Sequence, residues 1–558
     1  MPERKANLLI PAVGATVLVA GSIAAYIYFK GPSGDSSGAL GSARLVPSTA
    51  LMATYITTDS QAWAKLEEFG TPEAQKLLAT GIEDFKQDFF SEGNISYEQD
   101  IKPWVGGVMV AMLPPNPTQL AQSNQPNSAT KGQPESNILM VVGIKDKLKA
   151  LSFANKFQSK EGVKVEESDY KGEKITAVTE NGRRTYSAVL NNNHLVLAPE
   201  KQAVEKAIET FKGQPSFASQ EGAKTILTAN ADVKNILAQV YIPNYAEMVQ
   251  QLIADSPQAT QLPPQTLKQL QQVKSIVARV GVDDQGVRMR AIANLDPQLN
   301  KFEYQASPAK IVGQLPLDTF ALMTGNGINR SWSGIVAQSQ DYPGFNQVLQ
   351  QVRGQLKFVN IDLDKDVFGW MDREFAFGAV PSNQGMLANF GFGGAFVLET
   401  SDRQTATATL SKLDNLAKTQ RINVAKRKID GKDVTEWQIP GQGALLSHGW
   451  LNQDTVFLAV GGSVAEAIAT NNTPKLDSSD TFKAVTGSLQ KPNAGYFYID
   501  AEKTVSLVNR FITQGQPLAT EANTVLSAIH GFGVTVTSPD KSTGQLEMLL
   551  ALKPKTAK

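Results

Sequence analysis

The carboxylates best placed to hold a metal ion cluster in the second half of the chain: Asp362, Asp364, Asp366, Asp372 and Glu374. Alternating carboxylates of this kind can converge on Ca²⁺, as they do in helix–loop–helix calcium sites. Such a loop needs glycine at its sixth position and glutamate at its twelfth, where this chain has Val367 and Arg373. The aligned residues of the first half are Ser96, Glu98 and Asp100, so the set is not repeated. We therefore predict no metal site, and a turn that caps the next element.

Groups that could act as nucleophiles or general bases are scarce. The chain has no cysteine, and its three histidines, His194, His448 and His530, lie far apart in sequence. Ser333 has a serine, not a glycine, two positions earlier, so it is not a nucleophile elbow. The glycines of residues 391–394 lack the spacing of a dinucleotide fingerprint. We predict no catalytic residues and no cofactor. The alternative is an enzyme whose site assembles from scattered residues between two halves of the chain.

The charge and length of the chain bound its class. Lys and Arg number 53 and Asp and Glu number 53, so the overall charge gives no reason to expect nucleic-acid binding. A length of 558 residues suggests two to four domains with packed cores. The absence of cysteine means that no disulfide holds any of them together.

An uncharged apolar run, Leu8–Phe29, lies near the start of the chain. As a helix it is long enough to cross a hydrocarbon core of roughly 30 Å. Arg4 and Lys5 precede it and a nearly uncharged Gly/Ser segment follows, so the basic flank is expected to stay in the cytoplasm. We predict a transmembrane anchor over residues 1–30, a flexible tether over 31–44 and an exported body. The alternatives are a signal peptide cleaved after Ala24 and a buried core helix.

The remaining sequence runs through one pattern twice. Matching landmarks recur in the same order: Asp100–Trp104 with Asp366–Trp370, Tyr170–Thr176 with Ile429–Thr435, and Leu190–Ala198 with Leu451–Ala459. This order predicts a tandem duplication into domains 45–300 and 310–554. Trp104 and Trp370 take equivalent places, and we expect both to be buried core residues.

Each half mixes helical and strand-like patterns. Helices are predicted at Gln61–Leu78, Glu83–Phe90, Lys147–Phe157, Glu200–Phe211 and Asp232–Gln239. Strand–turn–strand units are predicted around Lys171–Gly172, Asn191–Asn193 and Asp283–Gly286. Consecutive hairpins favour an α+β fold, in which each half is a mostly antiparallel sheet with helices packed on one face.

One loop differs between the two halves. Residues 113–137 of the first half are rich in Pro, Asn, Gln and Ser, and we predict that they are disordered. The corresponding loop of the second half is apolar and carries Met386, Leu387, Phe390 and Phe392. If these side chains are exposed, they form a contact for a partner or a membrane. The alternative is that Phe390 and Phe392 begin the next strand and point into its core.

The anchor, the body from about Leu45 and the stretch Asp100–Gly107 together resemble a largely cyanobacterial, membrane-anchored family known as domain of unknown function 3352. The second half departs from this stretch at Gly369, where the first half has Pro103. The resemblance implies a location in the periplasm or the thylakoid lumen, attached to the membrane. It implies no activity and no catalytic residues.

These features together favour a non-catalytic protein that is tethered to a membrane. We expect it to bind, or to act as a scaffold for, another membrane or exported component, and not nucleic acid. A concave apolar tunnel would instead indicate a carrier of lipid or pigment.

Overall fold

The computed structural model describes residues 38–76, 99–100, 102–114, 137–158, 163–180, 183–220, 223, 233–254, 264–300, 305–340, 342–383, 387–388, 390–441, 443–509 and 520–555. These residues form two compact units. Unit 1 holds the described residues of Met1–Glu68, Gln75–Asp284 and Arg288–Asp296. Unit 2 holds those of Phe69–Ala74, Gln285–Val287 and Pro297–Lys558.

Unit 1 is built on an antiparallel sheet. Its strands are β1 (Met52–Ile56), β2 (Val105–Met112), β3 (Ile138–Ile144), β4 (Lys164–Tyr170), β5 (Glu173–Glu180), β6 (Arg183–Leu190), β7 (His194–Ala198), β8 (Ile236–Ile242), β9 (Val273–Asp283) and β10 (Gly286–Leu295). The order across the sheet is β4-β5-β6-β7-β3-β2-β1-β8-β9, with antiparallel pairing throughout, and β10 follows β9.

The helices of unit 1 pack on both faces of this sheet. They are α1 (Ala39–Ala43), α2 (Ser60–Ala64), α3 (Lys147–Gln158), α4 (Lys201–Phe211), α5 (Tyr245–Ala254) and α6 (Pro264–Leu270). The stripe Val204, Ala207 and Ile208 of α4 is buried in the main core, with Val141 of β3. On the opposite face, Met248 of α5 is buried in a second, smaller cluster.

Unit 2 repeats this plan. Its strands are β11 (Ala321–Asn326), β12 (Glu374–Pro381), β13 (Phe392–Glu399), β14 (Asn423–Ile429), β15 (Lys432–Ile439), β16 (Gly443–Trp450), β17 (Thr455–Val460), β18 (Tyr496–Asp500), β19 (Ile529–Asp540) and β20 (Thr543–Leu552). Their order is β14-β15-β16-β17-β13-β12-β11-β18-β19-β20, and all of these pairs are antiparallel. Position by position, this is the strand order of unit 1.

The helices of unit 2 also lie on two faces. They are α7 (Ile328–Ser339), α8 (Pro343–Phe358), α9 (Arg403–Thr419), α10 (Gly462–Ala469), α11 (Asp480–Thr486), α12 (Ala501–Leu507) and α13 (Thr520–Ser527), with a π-helical segment, Leu363–Gly369, before β12. Residues of α10 and α11 bury the main core, which contains Val397 of β13. Leu398, the next residue of β13, points to the other face and is buried by α9.

The antiparallel sheets and mixed helices confirm the α+β class. The expectation that helices cover one face only is wrong, because β1, β8, β11 and β13 carry apolar side chains in both alternating sets of positions and each set needs cover. Two of the predicted hairpin turns show the expected backbone: Lys171 and Gly172 have φ of 52° and 79°, and Asn191 and Asn192 have φ of 53° and 49°. Two successive positive values are the signature of a type I′ turn.

One predicted helix is wrong, part of the predicted tether is helical, and several predictions concern residues outside the described ones. The helix expected at Asp232–Gln239 is wrong, because Ile236–Ile242 forms β8 between β1 and β9. Part of the segment predicted as a tether is the short helix Ala39–Ala43, with Ala39 and Ala43 buried. The anchor, helix 83–90 and most of the polar insertion lie outside the described residues. Within the described residues, no helix has both the length and the apolarity to cross a membrane.

Candidate binding surface

The apolar loop predicted as a contact lies between β12 and β13. Met386 is outside the described residues, and Leu387 is half-buried, with its Cδ1 atom 3.1 Å from where a Cβ on Gly393 would lie. Phe390 is 64% exposed. Phe392 is the first residue of β13, as the alternative prediction has it, yet it remains 40% exposed. The loop therefore presents two aromatic rings to solvent.

Phe392 lies at one edge of a sheet face of unit 2, on the side of the sheet opposite the main core of this unit. Residues directly paired across neighbouring strands point to the same face. One such row, from β19 to β17, consists of Val534, Phe497, Met323, Phe377, Phe396 and Leu458. Met323 is 46% exposed and Phe497 is 42% exposed. This row is apolar across six strands.

A second row runs beside the first, two residues along each strand. It consists of Phe532, Ile499, Ala321, Ala379, Gly394 and Val460. None of these residues is fully buried. We call the two rows, together with Phe390 and Phe392, the open sheet face. An antiparallel sheet that faces water normally has polar residues on its wet side, so this composition indicates a surface meant to be covered.

Contacts between aromatic rings fix the positions of side chains on the open sheet face. The ring centroids of Phe377 and Phe396 are 5.3 Å apart, and those of Phe497 and Phe532 are 6.4 Å apart. Phe392 packs edge-on against the buried ring of Phe320, with centroids 5.9 Å apart. These separations are the ones that aromatic pairs favour, so the exposed rings are ordered by their neighbours.

Unit 1 covers the corresponding face. There α5 buries Val240 and Ile242 of β8 beneath Met248. In unit 2 the helix that follows the equivalent strand, β18, is α12, and among its described residues only Ala501 is buried. Helix α9 covers the far end of the face, over Leu398 and its neighbours. Helices α12 and α13 contact β19, but Met323 of β11 and Phe497 of β18 remain 46% and 42% exposed.

A buried polar cluster marks the covered end of this face. Asp414 of α9 accepts hydrogen bonds from Trp437 Nε1 at 2.7 Å and pairs with His448 Nε2 at 2.8 Å. Burial raises the pKa of Asp414, but the hydrogen bonds from His448 and Trp437 outweigh it and leave the pKa below its usual value. No serine or threonine hydroxyl is bonded to His448 in the described part of the chain. The cluster fixes α9 on the sheet and lacks the nucleophile of a hydrolase.

The other two histidines are not brought to this cluster. His194 begins β7 in unit 1 and is buried, which lowers its pKa. His530 lies on β19, where partial burial and then the charge of Lys553 lower its pKa. Three histidines on three separate strands do not form one site.

The carboxylates considered for calcium are each engaged by the protein. Asp362 accepts from the backbone N–H groups of Asp364 and Lys365 at the start of the π-helical segment, the predicted capping role. Asp364 accepts from Arg353, which lowers its pKa. Glu374 is buried and accepts from the backbone N–H of Ile311 at 3.3 Å. Among the described residues, no group of three such side chains is arranged to hold a metal ion.

The two tryptophans predicted to be equivalent make corresponding hydrogen bonds. Both are buried, and each lies just before the second strand of its unit. Trp104 Nε1 donates to the carbonyl of Asp100 at 2.7 Å, and Trp370 Nε1 donates to that of Asp366 at 2.8 Å. Each aspartate also pairs with a lysine of the following helix, Lys156 on α3 at 2.7 Å and Lys412 on α9 at 2.5 Å. The burial predicted for both tryptophans is confirmed.

The sequence predicted the loop residues at the edge of the open sheet face but not the two rows of residues that form most of it. The loop residues Leu387, Phe390 and Phe392 lie close together in sequence, whereas the two rows come from strands between residues 321 and 534. A signal was present in β18, YFYID, and in β12, EFAFGAVP, where both alternating sets of positions are apolar. Such strands are expected to be covered on both faces.

Comparison with known proteins gives the family. A model described as "Protein of unknown function (DUF3352)" matches residues 12–552. No curated protein matches the chain. Crystal forms I and III of a protein titled TP0453 match 47% of this chain, with 11% and 10% identity, 86% and 81% coverage of their own chains, and TM-scores of 0.26 and 0.25. That structural likeness is too low to support an argument. The family match covers nearly the whole sequence, and the chain therefore belongs to the DUF3352 family.

Proposed function

We propose that this protein is a non-catalytic binding protein and that the open sheet face of unit 2 is its binding surface. The observation that carries the proposal is the exposure of Met323 and Phe497 in the middle of an apolar row. Exposed contiguous apolar patches are rare on soluble monomers and mark interaction sites. The equivalent face of unit 1 is packed beneath α5, so this exposure is not required by the fold.

The partner that fits this surface best is another protein with an apolar face, exported or held in the membrane. The exposed side chains run from Phe497 on β18 through Met323 on β11 to Phe392 on β13, a width of about 14 Å at about 4.8 Å between neighbouring strands. A strip of this width is the size of the apolar centre of a protein interface, around which a polar rim completes the contact. Aromatic residues and methionine, which line this face, are enriched in such interfaces. A carrier of lipid or pigment would instead enclose its ligand in a deep apolar cavity.

Photo-crosslinking in native membranes tests this proposal. A photoreactive residue in place of Phe390 is expected to form a covalent adduct with one predominant protein, to be identified by mass spectrometry. The matched control carries the same residue in place of Phe358, an exposed aromatic at the end of α8 that does not belong to the open sheet face. Equal yields of the same adduct from both positions, or adducts with lipid alone from Phe390, would refute the proposal.

We further propose that residues 8–29 anchor the protein in a membrane and that both units lie on the non-cytoplasmic side. Arg4 and Lys5 before the uncharged run support this orientation. Protease added to the periplasmic or lumenal side is expected to degrade everything after about Lys30, and protease on the cytoplasmic side is expected to leave the body intact. Digestion of the body from the cytoplasmic side would contradict both the location and the orientation.

We also infer that the two units arose by tandem duplication. The common strand order and the repeated tryptophan–aspartate–lysine contacts support this history. A third repeated feature is the isolated bridge made by a proline before the first strand of each unit, Pro47 with Ser216 and Pro316 with Lys475. Duplicated units share a core, so differences between their surfaces point to functions that diverged after the duplication.

A further inference from the structure

Helix α3 of unit 1 exposes two leucines. Leu148 is 81% exposed and Leu151 is 60% exposed. Residues three apart are neighbours on a helix surface, so the two side chains form one apolar patch on the outer side of α3. The residue of α3 that packs inward is Phe153, whose ring stacks on that of Trp104 with centroids 5.4 Å apart.

Lysines surround this leucine patch. The described residues 99–100, 102–114 and 137–158 contain two aspartates, Asp100 and Asp146, and five lysines: Lys102, Lys145, Lys147, Lys149 and Lys156. At 100° per residue, Lys147 lies on one side of the leucines and Lys149 and Lys156 lie on the other. Burial lowers the pKa of Lys145, and the charges of Lys102 and Lys149 lower it further. Lys102 and Lys149 therefore lie near Lys145, and five lysines against two aspartates give this part of unit 1 an excess of positive charge.

We propose that α3 docks on the surface of an anionic bilayer. In this arrangement Leu148 and Leu151 enter the boundary between headgroups and acyl chains, and Lys147 and Lys149 contact lipid phosphates, while Lys156 stays paired with Asp100. Helices that lie in a membrane interface combine a short apolar stripe with lysines beside it. Charge complementarity selects the occupant, because anionic lipids attract clustered lysines. This contact is separate from the predicted anchor and from the open sheet face, and it goes beyond the proposed function.

Unit 2 provides a matched reference for this helix. Helix α9 follows β13 as α3 follows β3, and an aspartate caps both helices: Asp146 accepts from the backbone N–H of Lys149 at 3.0 Å, and Asp402 accepts from that of Thr405 at 2.9 Å. Lys156 pairs with Asp100, and Lys412 pairs with Asp366. Each of these lysines follows the capping aspartate of its helix by the same number of residues.

Counted from the capping aspartates, Gln404 and Thr407 of α9 stand where α3 has Leu148 and Leu151. Both of these residues of α9 are exposed. The fold therefore accepts polar residues at these two positions. The leucines of α3 are an addition specific to unit 1, and their exposure calls for a reason other than packing.

The absence of cysteine makes a direct test straightforward, because one introduced cysteine gives a unique labelling site. The full-length chain with Asn155→Cys, an exposed position on the leucine side of α3, is labelled with an environment-sensitive fluorophore. It is reconstituted into vesicles of phosphatidylcholine alone or mixed with phosphatidylglycerol. Lipids brominated on their acyl chains quench any label that enters the interface. A chain labelled through Gln404→Cys on α9 serves as the positional control.

We expect the label at position 155 to be quenched in vesicles that contain phosphatidylglycerol, and less so at high salt or in phosphatidylcholine alone. We expect little quenching at position 404. The double variant Leu148→Gln/Leu151→Thr, which copies α9, should reduce quenching at 155 to the level seen at 404. Its melting temperature should stay within a few degrees of the parent, because the two side chains are exposed.

Three results would overturn the proposal. The first is no quenching at position 155 in anionic vesicles. The second is quenching at 155 that survives the double variant, or that is equal at 404, which would reflect mere proximity to the membrane. The third is shielding of the label only when native membrane proteins are present, which would make the occupant a protein. None of these depends on the open sheet face, because the label reports on unit 1 whether or not unit 2 captures a partner.

Discussion

Replacing Trp370 with alanine is expected to lower the free energy of unfolding of unit 2 by about 3–5 kcal/mol, the usual cost of emptying a large aromatic site. The indole is buried against Leu398, Ala406 and Leu410, beneath α9. Its Nε1–H also holds the carbonyl of Asp366 at 2.8 Å, and losing this bond leaves a polar group without its partner. Trp104→Ala should cost unit 1 a similar amount, because Trp104 is also buried, its ring stacks on that of Phe153 and its Nε1–H donates to the carbonyl of Asp100.

Denaturant unfolding followed by intrinsic fluorescence and circular dichroism measures both changes. Trp370→Phe is the matched control: it keeps most of the ring and removes the Nε1–H, so it should cost about 1–3 kcal/mol. A loss below about 1 kcal/mol for both alanine variants, as for a surface substitution, would contradict the account of the two tryptophans as equivalent core anchors.

The sequence predicted well wherever a local rule decided the structure. The predicted turn at Lys171–Gly172 needs positive φ at two successive residues, and the glycine at the second position signals that requirement. The stripe of α4 was read from its spacing of three and four. The tryptophans were identified as buried because large aromatic residues at matched positions of a repeat are core residues in most folds.

Prediction failed where the outcome depended on neighbours distant in sequence. Residues 236–238 carry apolar side chains that fit either a helix or a strand, and the pairing of β8 with β1 and β9 decided for a strand. Leu148 and Leu151 have helical spacing, but spacing alone does not say which stripe of α3 faces the sheet. The open sheet face exists because no described helix buries Met323 of β11 and Phe497 of β18. A local sequence pattern does not tell which strands a helix distant in sequence will cover.

The second large effect is expected in binding. Serine at Met323, Phe390 and Phe497 together should weaken capture of the crosslinked partner by about tenfold or more, because truncating even one anchor residue of an interface often costs over about 1.4 kcal/mol. The side chains of these residues are 46%, 64% and 42% exposed, so the core beneath them stays filled. The variant should therefore remain folded, with a melting temperature within a few degrees of the parent.

A matched control separates the open sheet face from general stickiness. Phe345, Val348 and Phe358 are also exposed apolar residues of unit 2, but they lie on α8 and not on the open sheet face. Serine at these three positions removes a comparable amount of apolar surface. Capture by this control variant should match capture by the parent chain.

The measurement that tests the central claim most directly is the dissociation constant of the full-length chain for the crosslinked partner, measured in detergent or nanodiscs for the parent and both triple variants. The account predicts that affinity falls by about tenfold or more for Met323→Ser/Phe390→Ser/Phe497→Ser and is unchanged for Phe345→Ser/Val348→Ser/Phe358→Ser. Unchanged affinity in the first variant while it remains folded, or an equal loss in both, would contradict it.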